Sequence, residues 1–305
     1  MRVAENTLLQ KFFEDFSGKL PSHELEILLE ASFHREFPER QRLNRQQIYS
    51  SESLPGVTWL TQARIWAEKR VGLGIPLQHL TGEQNFYGRY FEVGPEVLIP
   101  RPETEVLVER VLSWLTASGV SSLLGVDIGT GSGVIPITLL LERQSQLRML
   151  TSEASPEALR RAQANARMLG VSEDRISWVF VKEIEKVIEP ILEWTMRTGC
   201  MMDFLVSNPP YLRRDSCEVE TEVESFEPSS ALFPPIPDAL FYYREISRGA
   251  HQVLKVGGMV FLEIPHERAD QIRELFSAQF EDIRITSDLA GKSRVLEAKL
   301  KPWIR

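Results

Sequence analysis

Leu123-Leu124-Gly125-Val126-Asp127-Ile128-Gly129-Thr130-Gly131-Ser132-Gly133, running on into Val134-Ile135-Pro136-Ile137-Thr138-Leu139-Leu140-Leu141, decides the fold. A short apolar run reads as a buried strand, a glycine-rich turn follows it, and a helical pattern begins at once. Glycines at a helix N-terminus let a ligand approach the backbone closely, which suits a dinucleotide, a phosphate or an adenosyl group; a plain structural turn has the same look. The details discriminate among these. The spacing is G-x-G-x-G rather than the dinucleotide G-x-G-x-x-G, and no Lys-Ser or Lys-Thr follows to make a P-loop. An anionic Asp127 at the mouth is poorly matched to a pyrophosphate and well matched to a cation carrying an ammonium and a sulfonium.

Further along, Leu147-Arg148-Met149-Leu150-Thr151 ends in Glu153, and Ser155-Pro156 opens a helix. An acid about 20 residues beyond the glycine loop is placed to grip a ribose diol. An ordinary first-turn carboxylate favoured by the helix dipole would look alike. Trp178-Val179-Phe180-Val181-Lys182-Glu183 reads as a third strand whose Glu183 can reach an adenine amino group.

A fourth apolar run, Phe204-Leu205-Val206-Ser207, leads into Asn208-Pro209-Pro210-Tyr211. In open α/β sheets ligands bind outside the carboxyl ends of the strands. Two prolines there keep the backbone extended and leave carbonyls as acceptors. The Asn208 side-chain oxygen and the Pro209 carbonyl can each take one hydrogen of a planar NH2 group. A Pro-Pro turn that merely ends a strand is the other reading.

The rhythm through this region is helix 102–116, strand 122–127, helix 132–143, strand 148–153, helix 156–168, strand 177–182, helix 184–197 and strand 203–207. Such alternation implies an α/β fold with a parallel sheet. Near the end, strands at 259–263, 283–286 and 294–298 place the last two close together, as in a hairpin. Upstream, Leu8, Leu9, Phe12, Phe13 and Phe16, then Leu25, Ile27, Leu28 and Leu29, then Trp59, Leu60, Ile65 and Trp66 fall at helical spacings divided by Pro21, Pro38 and Pro55. The expected organisation is a helical bundle at 1–75, a β-hairpin linker at 76–98 alternating around Gly88 and Gly94, and a catalytic domain at 99–305.

These residues together resemble a class I S-adenosylmethionine-dependent methyltransferase acting on a planar NH2 nitrogen. Gln78-His79-Leu80-Thr81-Gly82, Phe86-Tyr87-Gly88, Val97 to Glu105 (Val-Leu-Ile-Pro-Arg-Pro-Glu-Thr-Glu), Phe226-Glu227-Pro228 with Ala231-Leu232, and Asp288-Leu289-Ala290-Gly291 with Arg294-Val295 narrow it. From about Leu77 on, the chain is similar to the peptide chain release factor glutamine methyltransferases. The resemblance implies a Rossmann-like, seven-stranded, mostly parallel sheet with helices on both faces and one antiparallel strand. It implies S-adenosylmethionine held by Asp127, Gly129, Thr130, Gly131, Gly133, Glu153, Glu183 and Asn208, and Asn208, Pro209 and Tyr211 as the catalytic set. The glutamine of a Gly-Gly-Gln loop in class I release factors would then meet Asn208, Pro209, Pro210, Tyr211, Arg101 and Glu227. Tyr211 would wall the flat amide, and Glu227 is a candidate acceptor for the final proton. The bundle is expected to recognise the release factor.

The chain departs from the family at Phe233-Pro234-Pro235-Ile236-Pro237-Asp238-Ala239-Leu240, at Pro265 after Glu263-Ile264, and at Glu153 and Glu183, where Asp is commoner. None of these touches Asn208, Pro209 or Tyr211.

Composition agrees. The 305 residues are 43% hydrophobic and 26% charged, ordinary for a soluble globular chain with one sizeable core and a smaller domain. Net charge −8 and a pI near 5.4 argue against affinity built on neutralising nucleic-acid phosphates, so DNA is not an expected partner. The resemblance leaves a nucleic-acid adenine-amino methyltransferase as the alternative, since the same loop grips an exocyclic amine, and a non-catalytic ribosome- or factor-binding module as a further one. Arg35, Arg40, Arg42 and Arg45 form a local basic cluster that reads as a solvated helix face or a contact for an acidic partner or ribosomal RNA. Cys200 and Cys217 make neither a disulfide framework nor a metal spacing, and the five histidines are scattered, so no metal is expected. With charged residues throughout Met1–Leu20 and no long apolar run, a cytoplasmic monomer without a membrane segment is the expectation.

Overall fold

A computed structural model describes residues 2–49, 58–120, 122–143, 147–213 and 225–302. Pro55 and Cys217 lie outside the described residues. The chain divides into two compact units, Met1–Glu83 and Gln84–Arg305.

The first unit is helical: Arg2–Phe16, Ser22–Glu36, Arg45–Tyr49, Thr58–Leu73 and Leu77–Thr81. Phe12, Phe16, Leu25, Leu28, Leu29, Trp59 and Trp66 make its core, and Phe33 meets Trp59 edge to face at 5.4 Å. Leu77 and Leu80 belong to the same core, which is why the unit runs to Glu83 rather than closing at residue 75. Three of the apolar residues at helical spacing, Leu8, Ile27 and Ile65, are exposed. For Ile27 the geometry explains it: Leu25, Leu28 and Leu29 share one helical face, and a residue two positions from Leu25 and from Leu29 points away from it. The basic cluster is tied within the unit. Arg42 donates to both Glu83 oxygens at 2.5 and 2.6 Å, Arg45 pairs with Glu26, and Arg35 and Arg40 lie over the rings of Trp66 and Phe37.

A two-stranded hairpin follows, β1 (Glu83–Phe86) and β2 (Arg89–Glu92), all but its first residue in the second unit. Its turn is Tyr87-Gly88, both with positive φ (51° and 73°), the primed geometry that matches strand twist. The hairpin is therefore shorter than expected, and Gly94 lies beyond it. Asn165 ties this hairpin to the glycine loop: it accepts from the Glu92 N–H at 2.8 Å and donates to the carbonyls of Glu92 and Ser132 at 3.0 and 2.8 Å.

Seven strands follow: β3 (Leu123–Ile128), β4 (Leu147–Glu153), β5 (Ile176–Phe180), β6 (Met202–Ser207), β7 (Leu254–Glu263), β8 (Phe280–Ser287) and β9 (Ser293–Leu300). Their order is β5-β4-β3-β6-β7-β9-β8, parallel except that β9 runs antiparallel to both β7 and β8. Both faces are covered, as a parallel sheet requires. Along β6, Phe204 and Val206 join Val108, Val111 and Ile137 on one side, while Leu205 joins Tyr243, Ile246 and Ile272 on the other. Gly125 is needed between β3 and β6, since a Cβ there would stand 2.2 Å from Phe204 Cζ. β3 has β4 on one flank and β6 on the other, so the chain order reverses there and opens a crevice at the carboxyl ends of β3 and β6.

One helix differs from expectation. It spans Glu189–Thr198, not 184–197, because Pro190 sits in its first turn, where its missing N–H is harmless; a helix already under way at 184 would lose a hydrogen bond to that ring. β5 likewise ends at Phe180, leaving Lys182 and Glu183 in the loop that follows.

Candidate active site

The crevice holds a cavity of about 450 Å³, lined by residues from the ends of β3, β4 and β6 and from the loops that follow them. At β3 the chain turns through Gly129, Gly131 and Gly133 with φ of +75°, +55° and +84°. The Gly129 and Thr130 N–H groups donate to the Ser152 carbonyl at 2.9 and 3.1 Å, which holds the loop against β4. The glycines serve different ends. A Cβ on Gly129 or Gly131 would meet nothing within 4 Å, so these two form an open cradle, whereas one on Gly133 would strike Ile137 Cδ1 at 2.7 Å.

Asp127 is completely buried at the end of β3 and does not line the cavity, contrary to its expected place at the mouth. Neither of its carboxylate oxygens has a hydrogen-bond partner among the described residues, and the neighbouring Thr130 hydroxyl is equally unpartnered. Burial pushes the Asp127 pKa up to about 7; the Glu153 charge adds to the rise and the nearby Thr130 hydroxyl opposes it. A buried carboxylate left this way is a standing demand for positive charge.

Glu153, on the cavity wall, accepts from the N–H groups of Ala154 and Ser155 on one oxygen (2.8 and 2.9 Å) and of Gly131 on the other (2.9 Å). Its orientation is thereby set, with acceptor capacity remaining on the Gly131 side. Glu183 lines the same cavity, but its side chain is largely exposed and pairs with Lys186 at 3.2 Å.

Asn208, Pro209 and Pro210 line the cavity at the end of β6, which Ser207 pins to β3 through a 2.6 Å bond to the Ile128 carbonyl. The Asn208 NH2 donates to Thr104 Oγ1 at 3.2 Å, leaving the carboxamide oxygen as an unspent acceptor. Thr104 in turn donates to Glu263 Oε2 at 2.7 Å. Glu263 ends β7, is 2% exposed, and takes the Tyr211 hydroxyl on its other oxygen at 3.4 Å. Burial pushes its pKa up to about 7; the Thr104 bond, Arg294 and the Tyr211 bond pull down, and Glu103 pushes up.

Tyr211 does not stand on the wall of the main cavity. It lines a second, smaller one of about 170 Å³ with His266, Arg268, Lys292 and Arg294. Arg101 lines the main cavity and donates to Glu227 at 2.5 Å; the other Glu227 oxygen accepts the Ile99 N–H at 3.0 Å. Glu227 is buried and outside the lining, so it holds residues 99–101 in place rather than facing the cavity. In the departing loop, Phe233 and Ala239 are buried and Ile236 is exposed.

Sequence reading missed Thr104 and Glu263 as site residues. Thr104 stands inside a stretch that carried the family resemblance and Glu263 lies just before the departure at Pro265, but nothing in a single sequence pairs positions 104, 208 and 263. It also missed the apolar wall supplied by Ile135, Val187, Tyr242 and Ile246.

No family model matches the chain. It is 33% identical over 290 residues to the release factor glutamine methyltransferase of Neisseria gonorrhoeae, covering 94% of this chain and 97% of the other. It is 35% identical over 250 residues to the protein of that name from Chlorobaculum tepidum, covering 81% and 82%. Among solved structures, the hMettl16 catalytic domain in complex with MAT2A 3'UTR hairpin 1 matches with a TM-score of 0.53 at 16% identity over 95% of this chain and 94% of that one, a likeness of fold.

Proposed function

The chain belongs to the release factor glutamine methyltransferases, and from that premise we propose how its own residues serve methyl transfer to a glutamine side chain. It is an S-adenosylmethionine-dependent protein methyltransferase whose substrate is a release factor glutamine. The finer reading is that the target is the side-chain amide nitrogen of the glutamine in a Gly-Gly-Gln loop of class I release factors.

The residues fit S-adenosylmethionine. Two unpartnered oxygens on Asp127 and an open cradle at Gly129 and Gly131 suit a ligand that is cationic and must lie close to the backbone. When bound, that cofactor supplies an electrophilic methyl group on a positively charged sulfur. Asp127 would act on it by the field of an unpaired charge from behind the lining, Glu153 would take the ribose hydroxyls, and Glu183 would reach the adenine amino group only by leaving Lys186.

An amide nitrogen is a poor nucleophile because its lone pair is shared with the carbonyl. The site must therefore orient it, and no base is required before transfer. The Asn208 oxygen and the Pro209 carbonyl would each accept one N–H of the glutamine, aiming the nitrogen at the methyl carbon. As positive charge builds on that nitrogen both bonds strengthen, so the pair favours the transition state over the ground state. The methylated amide is a strong acid and gives its proton to water, since Glu227 is buried outside the cavity lining. The bundle at 1–75 is proposed to recognise the release factor, and a translation-factor substrate supports a cytoplasmic setting. The acidic balance of the chain supports a protein substrate over DNA.

The observation that carries the reading is the Asn208 carboxamide, tied by its NH2 to Thr104 and lining one cavity with the glycine loop. Asn208→Ala is expected to lower single-turnover methylation of a release factor by roughly a hundredfold or more, with cofactor affinity by calorimetry nearly unchanged. Equal turnover in the variant would refute the role.

A further inference from the structure

We propose that Thr104 and Glu263 are positioning residues that dictate which way the Asn208 carboxamide faces, Thr104 by contact and Glu263 through Thr104. The inference rests on the reading of Asn208 as the acceptor for the substrate amide.

With Glu263 ionised, the proton count along this chain of groups permits one arrangement. A carboxylate only accepts, and a threonine hydroxyl has one proton and two lone pairs. With Thr104 Oγ1 at 2.7 Å from Glu263 Oε2, the Thr104 proton is committed to Glu263. Toward Asn208, 3.2 Å away, Thr104 can then act only as an acceptor. Only the NH2 end of a carboxamide can donate, so that end is drawn to Thr104 and Oδ1 is left for the cavity. The reverse orientation would set the Asn208 NH2 against the substrate NH2, donor against donor.

The lock is built into three elements. Thr104 sits in the first turn of the helix Pro102–Ser118, Asn208 follows β6, and Glu263 ends β7. Thr104 and Glu263 are 3% and 2% exposed. Glu263 is held at a second point by the Tyr243 hydroxyl, which donates to its main-chain carbonyl at 2.9 Å, and at a third by Tyr211. This assigns Tyr211 a place as well: it fills the Glu263 oxygen that Thr104 does not use.

Glu263→Gln reads this logic directly. Tyr211 brings a donor, so the new carboxamide is best satisfied with its oxygen toward Tyr211 and its NH2 toward Thr104. Thr104 would then accept from residue 263, turn its own proton on Asn208 Oδ1, and reverse the Asn208 amide. The variant also removes a buried charge, so the fold should not suffer. Single-turnover methylation of a release factor should fall by about tenfold or more, the scale for misplacing one preorganised contact, with cofactor affinity within about twofold of wild type. In an Asn208→Ala background the same substitution should cost nothing further, because there is no amide left to orient. Thr104→Ser, which keeps the hydroxyl, should stay near wild type.

A second readout does not need activity. The Asn208 side-chain NH2, assigned by its loss in Asn208→Ala, should exchange slowly with solvent in wild type and faster in Glu263→Gln. Glu263→Gln within about twofold of wild type, an equal loss in the Asn208→Ala background, or unchanged amide exchange would each overturn the proposal. If wild-type protein left the release factor glutamine unmodified, the reading of Asn208 would fall first, and the amide exchange would still report on the lock itself.

Discussion

Replacing Asp127 by Asn should make the cofactor-free protein more stable while making it bind S-adenosylmethionine worse. In the unfolded chain Asp127 ionises near its ordinary 3.8, whereas burial raises it to about 7 in the fold. Between those values the unfolded chain has released the proton and the folded protein still holds it. Stability therefore falls as pH rises from about 4 to about 7 and is level above that. A shift of about three pK units at 1.36 kcal/mol each is on the order of 4 kcal/mol at pH 8. Asn keeps the shape and cannot ionise, so the variant escapes this loss. Both oxygens are unpartnered among the described residues, so little opposes the gain in the free protein. Binding shows the other side: without the charge, affinity for the cationic cofactor should drop more than tenfold, about 2 kcal/mol. Urea unfolding of both proteins from pH 5 to 8, with calorimetric titration at pH 8, measures both effects. Unfolding curves that stay parallel across that range, or undiminished affinity in the variant, would refute the picture of a buried charge waiting for a cation.

Turnover at saturating cofactor should rise with pH and level off above about 7 as Glu263 ionises among Arg294, Glu103 and Tyr211; the Glu263→Gln profile should be flat, and a slope retained there would assign the titration elsewhere. Gly131→Ala, with φ at +55° and an open cradle ahead of it, should weaken cofactor binding through roughly 1–2 kcal/mol of backbone strain and a filled cradle. Gly133→Ala should instead lower the unfolding midpoint, because its Cβ would press on Ile137 and Ala162. Removing residues 1–83, the whole first unit, should leave cofactor binding intact by calorimetry and impair methylation of intact release factor; a rate equal to full length would end the recognition role of the bundle.

What the sequence made legible follows from which signals are local. The central strands are short apolar runs that end at glycine, an acid or Asn-Pro, and β3, β4 and β6 appear within a residue of their expected bounds. Ile184, Val187 and Ile188 keep a helical spacing yet lie in the loop before Pro190, which is why periodicity alone starts the helix too early. The glycine cradle, Glu153, Asn208, Pro209 and Pro210 all line one cavity because each ends or follows a strand on the same edge of the sheet. Side-chain direction is another matter. Asp127 and Tyr211 sit beside lining residues and face elsewhere, and strand periodicity says nothing of the loop in which Tyr211 turns toward Glu263. The Thr104 bond to Asn208 spans 104 positions and the Thr104 bond to Glu263 spans 159, distances over which one sequence offers no pairing signal.

Peptide mass mapping of a class I release factor, after incubation with the full-length protein and S-adenosylmethionine, tests the central claim most directly. One added methyl group on the glutamine of the Gly-Gly-Gln loop, nearly absent with Asn208→Ala, is the expected result. A methyl group on any other residue, or on an adenine amino group in a nucleic acid while that glutamine stays unmodified, would contradict it.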